Sequence, residues 1–163
     1  MSMPSAPAML DTAIPRYAAG TVHRCRDACQ WLMTEIADGR VQVVIDAEVI
    51  QEILHRYGAL QRYAEAAKMA QDLMILVPRV LPVTAADMQI AVALFQRYAP
   101  QGVRARDTIH AAIMPNHGLT HVISSDTHFD LVAGLTPLDP IVAKRLREEP
   151  RDQSPKVPST PKE

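Results

Sequence analysis

Only two cysteines, Cys25 and Cys29, occur in the 163 residues. A disulfide framework needs more thiols at wider spacing, so covalent cross-links do not hold this chain together and a reducing compartment suits it. Both thiols fall on one apolar stripe with Leu32 and Ile36, which predicts a buried helix face. CxxxC beside His23 does not match the usual zinc-ligand spacings. Long apolar runs are missing too: none approaches the ~18 residues of a membrane span. The opening MSMPSAPAM lacks the charged start and apolar stretch of a signal peptide. Both absences predict a soluble, cytoplasmic protein. Excess positive charge is also absent, the formal net charge being −1, so no global field draws the chain to nucleic acid. A local field remains available, because 13 of the 17 basic residues are Arg, the better bidentate partner for phosphate.

What is present is enough for one domain with a full core, at 48% hydrophobic content. Residues 1–7 and 148–163 carry Pro and no periodic pattern. The tail EEPRDQSPKVPSTPKE offers little apolar surface and reads as disordered, leaving a folded body over 8–147. Within it, strand-like runs (Ala8–Asp11, Val41–Asp46, Arg79–Val83, LTHVISS, GLTPLDP) alternate with helical stretches. The helices are expected at about 22–37, 47–57, 60–76, from Thr84 to about Pro100, 104–117 and 141–147. RVLPV is short and Pro-bearing, hence an edge strand. Thr84 with Asp87 marks a capped start, and Gly118 a helix end. Such alternation predicts an α/β fold with a mostly parallel sheet of four to five strands flanked by helices.

Four acids sit where strands end or helices begin: Asp11, Glu52, Asp107 and Asp126. In a parallel sheet the carboxyl ends of the strands share one edge, where ligands bind. Carboxylates gathered there repel one another, and a divalent cation such as Mg²⁺ or Mn²⁺ resolves the conflict. Singly, each acid has an ordinary explanation: Asp11 and Asp126 as caps, Asp107 as first-turn dipole chemistry, Glu52 as a solvated side chain. On the Glu52 helix, Val49, Ile50, Ile53, Leu54 and Tyr57 mark the buried face. Glu52 then lies just outside it at the Val49 edge, and Glu48 farther out. The Asp107 helix is apolar nearly all round, so its acid needs a partner. Arg104 and Arg106 flank Asp107, to grip phosphates or to neutralise the acid, and Arg16 is a third rim candidate. His110 reads as core. His117, His128, Tyr17 and Phe129 lie near the acids in sequence and are candidate substrate contacts.

The runs MLDTAIPRYAAG, VVIDAEVIQEILHRYG and ARDTIHAAIMPNHGLTHVISSDTHFD resemble, in order and spacing, the signature segments of PIN-domain ribonucleases. Among these the likeness is to the VapC toxins of toxin–antitoxin pairs, and it spans residues 9–140. The resemblance implies a three-layer PIN-like fold and a Mg²⁺- or Mn²⁺-dependent endoribonuclease. It implies Asp11, Glu52, Asp107 and Asp126 as metal ligands, with Thr12 and Ser124 supporting the first and fourth acids. It further implies a homodimer, RNA as substrate, and an antitoxin whose tail occupies the crevice. Two positions depart from the pattern: Ala13 replaces the usual Asn, and Pro115 interrupts the end of the Asp107 helix.

Other classes fit less well. A non-catalytic α/β binding or signalling module with an acidic crevice is the alternative reading. A phosphoacceptor receiver, however, wants a late-strand Lys, and no Lys occurs between Lys68 and Lys144. A metal-dependent phosphatase wants an early Asp-x-Asp, and LDTAIP lacks the second Asp.

Overall fold

A computed structural model of the protein describes residues 4–20 and 22–148. Among these described residues five strands form one sheet: β1 (Ala8–Leu10), β2 (Val43–Asp46), β3 (Val80–Leu81), β4 (His121–Ile123) and β5 (Thr136–Leu138). Their order is β3-β2-β1-β4-β5, and each neighbouring pair is parallel. Seven helices among the described residues surround them: α1 (Ala13–Ala19), α2 (Arg26–Ala37), α3 (Ala47–Ala59), α4 (Tyr63–Leu76), α5 (Ala85–Tyr98), α6 (Ala105–Asn116) and α7 (Pro140–Glu148). The α/β class, the parallel sheet and the edge placement of β3 agree with the sequence.

The strand pleat sorts the core into two layers. Leu10, Ile45, Ile123 and Leu138 point to one face and pack on Cys29, Leu32, Ile53 and Leu73 of α2, α3 and α4. Met9, Val44, Leu81 and Val122 point to the other and meet Ile113, Met114 and Phe129. Each such side chain, fully buried, contributes roughly 1.5–3 kcal/mol. Both cysteines are free and buried, and burial pushes the Cys29 thiol up to about 12. From β1 the chain winds outward through β2 to β3, then returns to place β4 on the other side of β1. The crevice of a parallel sheet opens at such a reversal.

Three local features differ from the sequence reading. Helix α1 forms where the sequence reading assigned no element, and Pro15 is tolerated in its first turn, where no intrahelical N–H is needed. Helix α2 begins at Arg26 rather than near residue 22. There His23 Nδ1 accepts the N–H of Cys25 at 3.2 Å, a local bond that competes with helix extension. On α3, Leu54 is 44% exposed and Glu52 only 7%, so the acid belongs to the buried face. The proposed disordered tail lies, from residue 149 onward, outside the described residues.

Helix α5 starts as the sequence indicates. Thr84 Oγ1 accepts the Asp87 N–H at 3.2 Å, and Asp87 Oδ2 accepts the Thr84 N–H at 2.9 Å. Asp87 Oδ1 also accepts from Asn116 Nδ2 at 2.9 Å, tying α5 to the end of α6. The Thr84 hydroxyl and N–H hold the Asp87 carboxyl below its usual range. Thr84→Ala is expected to cost about 1 kcal/mol, read as a lower denaturant midpoint. Because the folded Asp87 pKa is depressed, its stabilisation is complete above the unfolded value near ~3.9 and fades as pH falls through the folded one. Asp87→Asn is expected to flatten that acid limb; an unchanged limb would assign it to other carboxylates.

Candidate metal centre

Chain direction brings the acids together. Asp11 follows β1, and its N–H donates to the Ile123 carbonyl of β4 at 3.0 Å. Ser124 follows β4, and its hydroxyl donates to Asp11 Oδ2 at 2.5 Å while accepting the Asp126 N–H at 2.9 Å. One small hydroxyl thus positions an acid on each side of the sheet's reversal point. Asp126 Oδ1 accepts the His128 N–H at 3.0 Å, capping the 3-10 turn Thr127–Leu131. Asp107, on the first turn of α6, accepts the Arg104 N–H at 3.3 Å. Glu52 projects from α3 on the face that packs inward.

The four acids gather as two groups rather than one. Ligand atoms of Asp11, Glu52 and His110 lie within 4.8 Å of one another, as do those of Asp107, Asp126 and His128. Arg106 bridges the groups: Nη1 lies 2.9 Å from Glu52 Oε1, and Nε lies 3.9 Å from Asp107 Oδ1. His128 Nδ1 stands 3.3 Å from Asp107 and 3.0 Å from Asp126. Arg104 is looser, 3.6 Å from Asp126, with its side chain half exposed. Of the two roles open to the flanking arginines, Arg106 is occupied by neutralising acids, and Arg104 is the one turned outward.

Electrostatics record the crowding. Burial pushes the Asp11 carboxyl above its ordinary range, and the charges of Asp107 and Glu52 push the same way against His110 and the Ser124 bond. Asp107 is raised by burial first and by Asp126 second. Burial alone would lower His110, but Asp46, 2.7 Å from its Nδ1, together with Asp11 and Asp107 outweighs that effect and raises it. The imidazolium therefore serves as an internal countercharge. Its Nε2 and the Glu52 Oε2 are both buried without a hydrogen-bond partner. A carboxylate oxygen left bare in the interior is costly unless a cation meets it. The donor set fits a hard divalent ion, since oxygen ligands dominate it.

Several sequence-based assignments change. Asp46 was read only as a strand end, yet it is fully buried, accepts the Val49 N–H at 3.1 Å to cap α3, and anchors His110. Its signal was an acid closing an apolar strand just before a helix. Thr12 does not brace an acid: its Oγ1 is buried without a hydrogen-bond partner. Phe129 is 0% exposed and cannot stack on a substrate. His117 closes the far end of α6, about 15 Å from Asp107 at the helical rise. Arg16 lines a different cleft, with Tyr17 and His23.

A carboxyl raised by folding is favoured in its protonated form, so its ionisation weakens the fold as pH climbs from the unfolded pKa through the folded one. With chelator present, Asp107→Asn is therefore expected to melt at the wild-type temperature or slightly above it at neutral pH. The difference should close toward pH ~3, below the ordinary carboxylate range. A variant markedly less stable at neutral pH would mean that Asp107 is a structural anchor instead.

Comparison with known proteins agrees with this geometry. The profile of the PIN domain matches residues 8–135. Ribonuclease VapC13 of Mycobacterium tuberculosis is 38% identical over 131 residues, covering 80% of this chain and 98% of the relative. Ribonuclease VapC7 of the same organism is 33% identical over 122 residues, covering 74% and 83%. Among solved structures, M. tuberculosis VapC20, a sarcin-ricin loop cleaving toxin, aligns with a TM-score of 0.61 at 16% identity, over 78% of this chain and 98% of that one. VapBC2 of Rickettsia felis, bound to a promoter DNA fragment, gives 0.63 at 13% identity, over 82% and 98%. At those identities the structures bear on the fold, and the fold is the same. By profile and by relatives, the chain belongs to the PIN domain family.

Proposed function

We propose that this chain is a divalent-metal-dependent endoribonuclease acting as the toxin of a toxin–antitoxin pair. One observation carries the reading: two carboxylate groups, Asp11–Glu52 buried and Asp107–Asp126 partly so, converge at the carboxyl edge of the sheet with a Glu52 oxygen left bare. Relatives named as ribonucleases support RNA as the substrate. These four acids would hold the ion, Mg²⁺ or Mn²⁺. When bound, such a cation supplies Lewis acidity toward the phosphoryl group and makes water a competent nucleophile at neutral pH.

The chain's own residues prepare the site. Ser124 fixes the Asp11 carboxylate, and His128 holds Asp107 and Asp126 in register. Arg106 lowers the repulsion between the groups. Arg104, exposed and weakly paired, is placed to meet an incoming phosphate, which guanidinium binds bidentately. Solved relatives include toxin–antitoxin complexes. By analogy the partner here is an antitoxin that presents an Arg to the acids, and the toxin acts as a homodimer. No helix among the described residues is long and apolar enough to cross a membrane, in keeping with a cytoplasmic enzyme.

Cleavage of total RNA by the purified protein is expected to stop with chelator and return with Mg²⁺ or Mn²⁺. Glu52→Gln should lower the rate by about 100-fold, the upper end of what changing even a partner behind a metal ligand costs, and Glu48→Gln far less. Equal losses would place Glu48 in the ligand set. In cells, expression of the chain alone should arrest growth and the Asp11→Ala form should not. Normal growth with soluble wild-type protein would favour a binding module.

A further inference from the structure

The cleft that Arg16 lines differs from the acid centre in size, charge and chemistry. It measures about 690 Å³ and lies between α1, the segment entering α2, and the end of α3. Arg16, Arg26, Arg56 and Arg62 line it against a single carboxylate, Glu65. That carboxylate is already engaged: Arg62 Nε donates to Glu65 at 2.6 Å, and the same guanidinium lies 5.1 Å from the centre of the Tyr57 ring. Among the described residues, no acid lies within ion-pair distance of Arg16, Arg26 or Arg56. The Nε atoms of Arg16 and Arg26 are buried without an acceptor. Buried charged donors without acceptors are costly, and an anion is what they lack.

An aromatic stack stands beside these charges. The Tyr17 and His23 rings are parallel within 6° at 3.8 Å, and the Arg16 guanidinium lies 4.4 Å from the Tyr17 centre. A ring at that spacing fills one face of Tyr17, so the guanidinium occupies the other. The result is a preformed column, Arg16–Tyr17–His23, and its imidazole is fixed by the Cys25 N–H. Arginines beside flat stacked rings are the means by which proteins hold single-stranded nucleic acid, the first on phosphates and the second on bases.

Position links this cleft to the acids. Arg56 lies one turn beyond Glu52 on the same side of α3. The Arg16 N–H donates to the Thr12 carbonyl, so Arg16 lies one turn beyond the residue that follows Asp11. Along both helices the cleft therefore begins about one turn, ~5.4 Å of rise, beyond the residues that carry or adjoin the acids. We propose that it is a second RNA subsite, which holds the single-stranded segment adjoining the scissile phosphodiester. Arg16, Arg26 and Arg56 take its phosphates, and the His23–Tyr17 stack takes a base. This rests on the acid centre being the place of RNA cleavage. An acidic peptide could satisfy the arginines but gains nothing from the stack.

Binding measured without cleavage separates this inference from that reading. A fluorescent, unstructured RNA 12-mer is titrated by anisotropy against the full chain in chelator, over a range of salt, with poly-glutamate as competitor. Each phosphate contact to a single strand contributes a salt slope of about −0.7, so Arg26→Ala/Arg56→Ala should flatten the slope by about 1.4 and weaken binding roughly 25-fold at 0.1 M salt. Arg56 is exposed, and part-buried Arg26 pairs with no acid among the described residues, so the double variant should keep its fold, which a melt in the same buffer checks. His23→Ala should weaken binding with the slope unchanged. Unaltered affinity and slope in the arginine variant would overturn the subsite, as would stoichiometric displacement of RNA by poly-glutamate or no RNA binding by the wild type. Metal-dependent cleavage that persists in any of these cases would leave the nuclease reading standing alone.

Discussion

The buried pair of His110 and Asp46 holds the acid centre in place. Both side chains are fully buried and lie 2.7 Å apart, joining α6 to the end of β2. Asp46 caps α3, the helix that carries Glu52, and His110 sits one turn after Asp107 on α6. One contact therefore sets the distance between the helices that supply an acid to each group. Removing either partner would strand a charge in the interior, which typically costs 3–5 kcal/mol and would displace both helices.

The same pair explains how a crowded cluster of carboxylates folds at all. Burial and mutual repulsion raise Asp11 and Asp107. Against this stand the His110 imidazolium, the Arg106 bridge and the Ser124 hydroxyl. Repulsion is reduced but not removed, because Oε2 of Glu52 remains without a partner. On the proposed reading, the cluster is thus left able to take a cation at the edge of the sheet, at the expense of some stability. Sites of function commonly show this balance.

Much of this was legible in the sequence, for identifiable reasons. Alternating apolar runs gave the five strands, and Thr84-x-x-Asp87 gave the start of α5, because both depend on neighbours along the chain. The candidate acids Asp11, Asp107 and Asp126 were legible because each stands at an element boundary, and Glu52 because it lies on the helix that follows β2. Contacts between distant segments were not legible. Asp46 and His110 are 64 residues apart, and nothing local distinguishes their bond from a cap and a core histidine. The division of the acids into two groups likewise depends on Arg106, whose choice between Glu52 and solvent is made only by packing. Glu52 was set outside the apolar stripe because Leu54 was counted in it. The side of α3 facing the crevice needs a carboxylate, and the leucine is left in water.

The strand order has a consequence for the making of the protein. Asp11 and Ser124 are 113 residues apart, yet they meet across adjacent strands. A ribosome releases the chain from its N-terminus, so a nascent protein that ends before β4 carries Asp11, Glu52 and Asp107 but no Asp126. It also lacks the hydroxyl that orients Asp11, and a central strand stands unpaired on one side. Pairing over so long a separation is slow, since loop closure precedes its reward. Three of the four proposed ligands therefore precede β4, and the fourth arrives with the last third of the chain. On the proposed reading, the site stays incomplete until β4 and Asp126 have been made.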